Sequence, residues 1–326
     1  MAAGWTIPQD THMATASLDW TESPPPGFTG GAVTVGNFDG VHRGHRALVS
    51  AARQRAAEVG GPTVVVTFDP PPYQVLFPEA PTRPPLTTLT DRISLLQEAG
   101  ADHVVVLRTN AALLALTPEA FVCELLVGQL SARYVIEGYN FRFGHDRAGD
   151  THLLRVLCSK NGIGFEEVAP FMADGETVSS SRVRAALVAG NVAVAAGWLG
   201  RPYRIVGTIV IGAQRGRTIG FPTANLANVP TVLPGNGVYA VRAQIDGATW
   251  PAAANIGPNP TFGEHAQKIE VHLIGFSGDV YGKPLAVDFI DKLRDTRPFA
   301  GRDELVQQLH ADIASARRIL GSETTG

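Results

Sequence analysis

Apolar residues fall along this chain in two rhythms, and the change between them divides it. From residue 32 to about 171, short apolar runs at 32–35, 63–68, 103–107, 134–137 and 165–168 alternate with stretches in helical spacing. Val64-Val65-Val66 and Val104-Val105-Val106 are apolar without a break, as expected for strands covered on both faces. The spacing predicts helices at 45–59, 91–100, 118–130 and 149–161. Thr90 is the expected cap of the second; Thr117 and Pro118 are the expected cap and first residue of the third. The stretch 178–184 is predicted to open a further helix that runs to about 189. This alternation predicts a doubly wound, Rossmann-like parallel sheet.

One more short helix is predicted at 191–200. Gly200-Arg201-Pro202 then breaks the pattern, and the chain beyond it reads as β alone until its final helix. Runs at 203–211, 237–245, 252–256, 268–274 and 285–293, separated by Gly, Pro and Asn, predict an antiparallel barrel or sandwich. An amphipathic helix at 303–320 closes the chain, with Leu305, Leu309, Ile313 and Leu320 near one face. The expected domains are 31–200 and 201–326. Residues 1–30 are polar and end near Ser-Pro-Pro-Pro-Gly, so they read as a disordered leader.

Composition narrows the class. A chain of 326 residues can bury two cores, and 44% hydrophobic with 17% charged residues is the balance of a soluble globular protein. A net charge of −3 gives no electrostatic footprint for nucleic acid or a membrane surface. No apolar run approaches the length of a membrane span. The absence of Lys and Arg before Arg43 argues against a cleaved targeting signal. Cys123 and Cys158 sit in apolar helical patterns and read as reduced thiols, so a cytoplasmic location is expected. A homo-oligomer is compatible with all of this.

The chemistry concentrates in a few stretches. Gly36-Asn37-Phe38-Asp39-Gly40-Val41-His42-Arg43-Gly44-His45 lies between a strand and a helix, where backbone N–H groups and the helix's positive end meet. Gly36, Gly40 and Gly44 leave room for a phosphate, and the three-residue spacing of His42 and His45 puts both imidazoles on one side. The spacing is neither a dinucleotide-binding Gly-x-Gly-x-x-Gly nor a Gly-Lys-Ser/Thr phosphate loop. A turn with two surface histidines is the plainer alternative. Val178-Ser179-Ser180-Ser181-Arg182-Val183-Arg184 opens a helix with hydroxyls and an arginine suited to a polyphosphate. Gly138-Tyr139-Asn140-Phe141-Arg142-Phe143-Gly144 offers two aromatics for a flat heterocycle and an amide for its polar edge, although both rings also suit a core. In the second half, Arg217-Thr218-Ile219-Gly220-Phe221-Pro222-Thr223-Ala224-Asn225 places two oxygen donors two apart on an extended segment, the kind of set a hard cation takes.

These stretches together resemble the prokaryotic bifunctional riboflavin kinase/FMN adenylyltransferases, or FAD synthetases, over about residues 31–320 and in family order. The resemblance implies an N-terminal nucleotidyltransferase domain and a C-terminal riboflavin kinase β-barrel with a terminal helix. It implies ATP and Mg²⁺, with riboflavin, FMN and FAD as the flavins handled. In the adenylyltransferase it implies ATP contacts from Gly36, Phe38, Asp39, Gly40, His42 and His45. Ser180 and Ser181 would add contacts, with Arg184 on the departing phosphates, and Asn140, Phe141 and Phe143 would hold FMN. In the kinase it implies ATP and Mg²⁺ at Gly220, Thr223 and Asn225, Glu270 as general base, and Glu270 and Arg294 beside the flavin. Two departures stand out. Pro71 occupies the place of a histidine in the family's Pro-His-Pro, so a proline-stiffened loop is expected there, and Arg297-Pro298 departs from the usual pattern near the end. Leu86-Thr87 with Arg92 resembles a further family motif.

Overall fold

The computed structural model describes residues 14–81, 83–173, 175–212, 216, 219–259 and 264–321. The chain forms two compact units, Met1–Arg83 with Thr87–Val178, and Pro84–Leu86 with Ser179–Gly326.

In the first unit, strands β1 (Ala14–Leu18), β2 (Ala32–Val35), β3 (Thr63–Asp69), β4 (His103–Arg108), β5 (Tyr134–Gly138) and β6 (Gly164–Val168) form one sheet. Its order is β1-β4-β3-β2-β5-β6, with every pairing parallel. The helices are α1 (Arg43–Val59), α2 (Pro72–Leu76), α3 (Leu89–Glu98), α4 (Ala111–Leu114), α5 (Pro118–Ala120) and α6 (Thr151–Lys160); a small hairpin of β7 (Met172–Ala173) and β8 (Glu176–Thr177) follows. The uninterrupted valine runs serve two cores at once. Val64, Val66 and Val105 join one cluster, while Val65, Val104 and Val106 join another on the opposite face. From β2 the chain builds outward through β3 and β4, then crosses to the far side for β5. The order therefore reverses between β2 and β5, the place where parallel sheets of this kind bind ligands.

Several expectations are corrected here. The leader is not disordered throughout: Ala14–Leu18 is an edge strand, paired from Ala14↔His103 to Leu18↔Leu107. Phe28 is buried and stacks on His103 at 4.2 Å. Small residues in weak alternation carry little signal, and the partner strand is remote in sequence. The proline stretch is not all loop, because Pro72 takes the first position of α2, where its missing N–H costs nothing. Thr88, rather than Thr90, caps α3, accepting from Asp91 N–H at 3.1 Å. Thr117 caps α5 as expected, accepting from Ala120 N–H at 3.2 Å, but Phe121–Gln129 continues as a π-helix.

In the second unit α7 (Ser180–Val188) and α8 (Val192–Leu199) precede β9 (Tyr203–Val210), β10 (Ala224–Ala227), β11 (Gly237–Ile245), β12 (Ala248–Asn259), β13 (Glu264–Leu273) and β14 (Pro284–Arg294). These six strands close an antiparallel barrel in the order β10-β13-β12-β11-β14-β9. Val183, Leu187, Val192 and Leu199 bury their side chains in the same cluster as Ile205, Val241 and Val287 of the barrel. By packing, α7 and α8 thus belong with the barrel, whereas the apolar pattern assigned them to the preceding domain.

The terminal helix α9 (Arg302–Gly321) lays Ala316 and Leu320 on Ala240, Ile274 and Ile290. Its second anchor is ionic. Arg294 Nε donates to Asp312 at 3.0 and 3.1 Å and Nη2 donates at 2.8 Å, while Nη1 bonds the Asp295 carbonyl at 3.0 Å. These contacts engage the Arg294 guanidinium in holding α9. Asp312 is 4% exposed, so Arg294→Ala would strand a buried carboxylate, at a cost of about 3–5 kcal/mol. Calorimetry of the variant should show a clearly lowered barrel transition; an unchanged transition would show the pair to be idle.

Candidate active sites

The first site grows from the end of β2. After Val35 the backbone turns through Phe38 at φ 47°, Gly40 at φ 82° and Val41 at φ 40°. A β-branched residue in the left-handed region is a true outlier, of a kind that costs on the order of 1–3 kcal/mol. Burial holds it: Val41 is fully buried and Phe38 nearly so. Gly40 N–H donates to Thr87 Oγ1 at 3.1 Å and Thr87 N–H to Asp39 Oδ1 at 3.3 Å, pinning the middle of the turn.

This loop delivers His42 to the N-cap of α1, where its Nδ1 accepts from His45 N–H at 3.3 Å. The two imidazoles stack with centroids 3.6 Å apart, and the Phe38 ring meets His45 edge-on at 5.1 Å. The plain alternative of two surface histidines is excluded, since His42 is buried and His45 half-buried. Phe38 is the floor under the pair rather than an open contact. Burial, then the neighbouring His42 and Arg92, push the His45 pKa well below its ordinary 6.5. At neutral pH His45 is therefore a neutral ring, and its buried Nδ1 has no hydrogen-bond partner among the described residues.

Arg92, on α3, is 4% exposed, and only long bonds hold it: Nη1 lies 3.4 Å from Thr67 Oγ1 and 3.4 Å from the Phe68 carbonyl. Burial lowers its pKa, against the pull of Asp39 and Asp69. The sequence marked Arg92 by motif alone; its place beside the histidine pair came only with the fold.

Across the strand reversal, the loop after β5 carries the aromatic pair. Phe143 is buried, 5.3 Å from Phe121, and Phe141 stacks on it at 5.6 Å while remaining half-buried. Phe143 is thus packed in the core, and Phe141 is the ring with a surface left to offer. Asn140 is exposed beside it. Asp150 caps α6 through Leu153 N–H at 2.9 Å, so that helix begins slightly later than its pattern suggested.

At the start of α7, Ser179 is the N-cap and accepts from Arg182 N–H at 3.4 Å. Capping thus falls to Ser179, with Ser180 and Ser181 as the first helical residues. Arg184 reaches the Pro84 carbonyl, and Arg182 lies over the Trp198 ring at 5.3 Å.

The second site lies on the barrel. Alternation turns Ala224 and Leu226 into the core and leaves Asn225 on the opposite face; Glu270 is likewise flanked by buried Ile269 and Val271. Register then brings the polar residues together. Asn225 of β10 stands opposite Glu270 of β13, which stands opposite Asn255 of β12 on its other side. Cross-strand partners share a face, so the three form a polar row across three strands. Thr223 precedes Asn225 by two. Gly212 permits a close approach here: a Cβ on it would lie 2.2 Å from the Asn225 amide.

The turn before Thr223 is held from two sides. Phe221 meets His272 edge-on at 5.8 Å and His310 of α9 at 5.0 Å, and His272 Nδ1 donates to the Pro222 carbonyl at 2.8 Å. Gly220, at φ 88°, starts this turn. Arg217 and Thr218 of that stretch lie outside the described residues.

Known proteins align with both sites. A family model described as FAD synthetase matches residues 26–182, and one described as riboflavin kinase matches residues 199–320. The bifunctional riboflavin kinase/FMN adenylyltransferase of Pseudomonas fluorescens is 40% identical over 295 residues, covering 90% of this chain and 94% of its own. Its namesake in Escherichia coli (strain K12) is 39% identical over 294 residues, covering 90% and 93%. Among solved structures, a Streptococcus pneumoniae protein described as a macrolide-efflux protein superposes with a TM-score of 0.83 at 31% identity, covering 93% of this chain and 98% of that one. No helix among the described residues is long and apolar enough to cross a membrane. With both family models matched in order and relatives at 40% identity along nearly its whole length, the chain belongs to the bifunctional riboflavin kinase/FMN adenylyltransferase family.

Proposed function

We propose that the family's two reactions, phosphorylation of riboflavin to FMN and adenylylation of FMN to FAD, are divided between the two units. In the barrel, Glu270 takes the proton from the ribityl 5′-hydroxyl of riboflavin as that oxygen attacks the γ-phosphorus of ATP, and ADP leaves. The Thr223 hydroxyl and the Asn225 carbonyl, beside a carboxylate, form an all-oxygen donor set that fits Mg²⁺. Phosphate and water oxygens would complete the coordination. When bound, Mg²⁺ supplies neutralising charge on the phosphates. Gly220 lets the turn approach them closely.

In the first unit, a phosphate oxygen of FMN attacks the α-phosphorus of ATP, the bond to the α,β-bridging oxygen breaks, and pyrophosphate leaves. His42 and His45 stand at the α-phosphate, the latter as a neutral ring able to donate a hydrogen bond. Asp39, Gly36 and Gly40 shape the loop that holds them. Asn140 and Phe141 receive the flavin. Ser180, Ser181 and Arg184 open α7, which packs with the second unit; their hydroxyls and guanidinium suit a polyanion such as a nucleotide polyphosphate. Neither reaction needs a covalent enzyme intermediate. These are reactions of soluble cofactor metabolism, and we place the enzyme in the cytoplasm.

The observation that carries this reading is that each unit holds its own phosphate-handling set, the stacked His42–His45 pair in one and the Asn225–Glu270–Asn255 row in the other. Chromatography of the protein incubated with riboflavin, ATP and Mg²⁺ should show FMN first and FAD after it. Riboflavin recovered unchanged would overturn the reading.

A further inference from the structure

The parallel sheet of the first unit opens beneath its site. β2 keeps register with β3 over its full length, from Ala32↔Thr63 to Val35↔Val66, but with β5 only at Ala32↔Tyr134 and Val33↔Val135. β5 meanwhile stays paired with β6 out to Gly138↔Val168. β2 and β5 therefore diverge before they reach their carboxyl ends. That divergence would leave the Val35 N–H, in a fully covered sheet, without a ladder partner, an expensive arrangement.

A side chain supplies the missing acceptor. Glu137 Oε1 receives the Val35 N–H at 2.7 Å, and Glu137 is only 1% exposed. An acidic residue at the end of the apolar run Val135-Ile136-Glu137 is costly to bury and has no packing advantage over the apolar residues beside it. Its oxygen does what a backbone carbonyl of β5 would do if the strands stayed together, at a greater reach. Burial pushes its pKa well above the ordinary 4.5, and it likewise raises that of the nearby Cys158 thiol on α6, which the carboxyl adds to.

Its two ends matter more than its charge. Val35 directly precedes Gly36, the first residue of the strained histidine loop, and Glu137 directly precedes Gly138, the first residue of the Asn140–Phe141 loop. One side chain therefore joins the roots of the two loops that carry the adenylyl-transfer residues.

We infer that Glu137 is a positioning residue for FAD formation, a clamp that lets β2 and β5 separate while fixing the spacing between the histidine pair and the flavin loop. This rests on the assignment of adenylyl transfer to the first unit. The clamp needs an acceptor at the right reach and no ionisable proton.

Three variants separate that requirement from simple packing. Glu137→Gln keeps an acceptor at the same reach, Glu137→Asp withdraws it by one methylene, and Glu137→Leu removes it at similar bulk. FAD formation from FMN and ATP should stay within about threefold of wild type in Gln and lose on the order of 10²-fold in Leu, the scale of a reacting group displaced by about an ångström. Asp should fall between them. The loss should appear in kcat more than in the KM for ATP, FMN formation from riboflavin should be unchanged in all three, and circular dichroism matching wild type should certify that the first unit is folded. Full activity in Leu and Asp, or a Gln variant as damaged as Leu, would overturn the clamp. Because FMN formation is read in the same tube, and the His45 variant tests the assignment of the site by itself, failure of the clamp is distinguishable from failure of that assignment.

Discussion

His45→Ala should abolish FAD formation while riboflavin is still converted to FMN. The physical case starts from the loop. A strained turn, with Val41 at φ 40°, is held by burial so that His42 caps α1 and stacks on His45 at 3.6 Å. Such an arrangement fixes the ring before substrate arrives, so none of its orientation has to be won during the reaction. Removing one preorganised hydrogen-bond donor from a site of developing charge costs on the order of 10²–10³ in kcat. Here the stack would also lose its partner, leaving the His42 ring less constrained, and the upper end is expected. FMN formation is the built-in control, since Glu270 and Asn225 sit on the barrel. A folded variant that still made FAD at the native rate would remove His45 from the α-phosphate. One that lost both activities would dissolve the proposed division.

Glu270→Ala should do the reverse. Riboflavin should no longer be phosphorylated, while FMN added to the reaction is still turned into FAD. A positioned general base contributes about 10²–10⁴ in rate. The register makes Glu270 the carboxylate of a row in which Asn225 and Asn255 flank it. Glu270→Gln should be nearly as inactive as Ala, because the amide keeps the shape but cannot take a proton. Retained activity in Gln would assign Glu270 to binding instead.

Much of this was legible in the sequence, for reasons that differ by residue. The valine runs of β3 and β4 announced strands covered twice, because alternate valines feed separate cores. Asn225 and Glu270 were marked by motif and family resemblance, but the row they form needed the register. Ala14–Leu18 escaped because its small residues barely alternate and its stability comes from pairing with β4. The anchoring of α9 by Arg294 was not legible, because an arginine at a strand end looks the same whether it meets a ligand or Asp312, and only the packing of α9 shows the pair. Which loop aromatic the core takes was likewise open, since two aromatics two apart do not say. Glu137 had a readable signal, a lone acid in an apolar run, yet its meaning required seeing β2 and β5 diverge.

The most direct test mixes the two crippled enzymes. His45→Ala and Glu270→Ala proteins, each alone with riboflavin, ATP and Mg²⁺, should yield no FAD, and together they should yield it, because FMN made on one chain is adenylylated on the other. FAD from the mixture and from neither alone is the predicted result. Two folded variants that stay silent when mixed would contradict the claim that one chain carries two separable ATP-using centres.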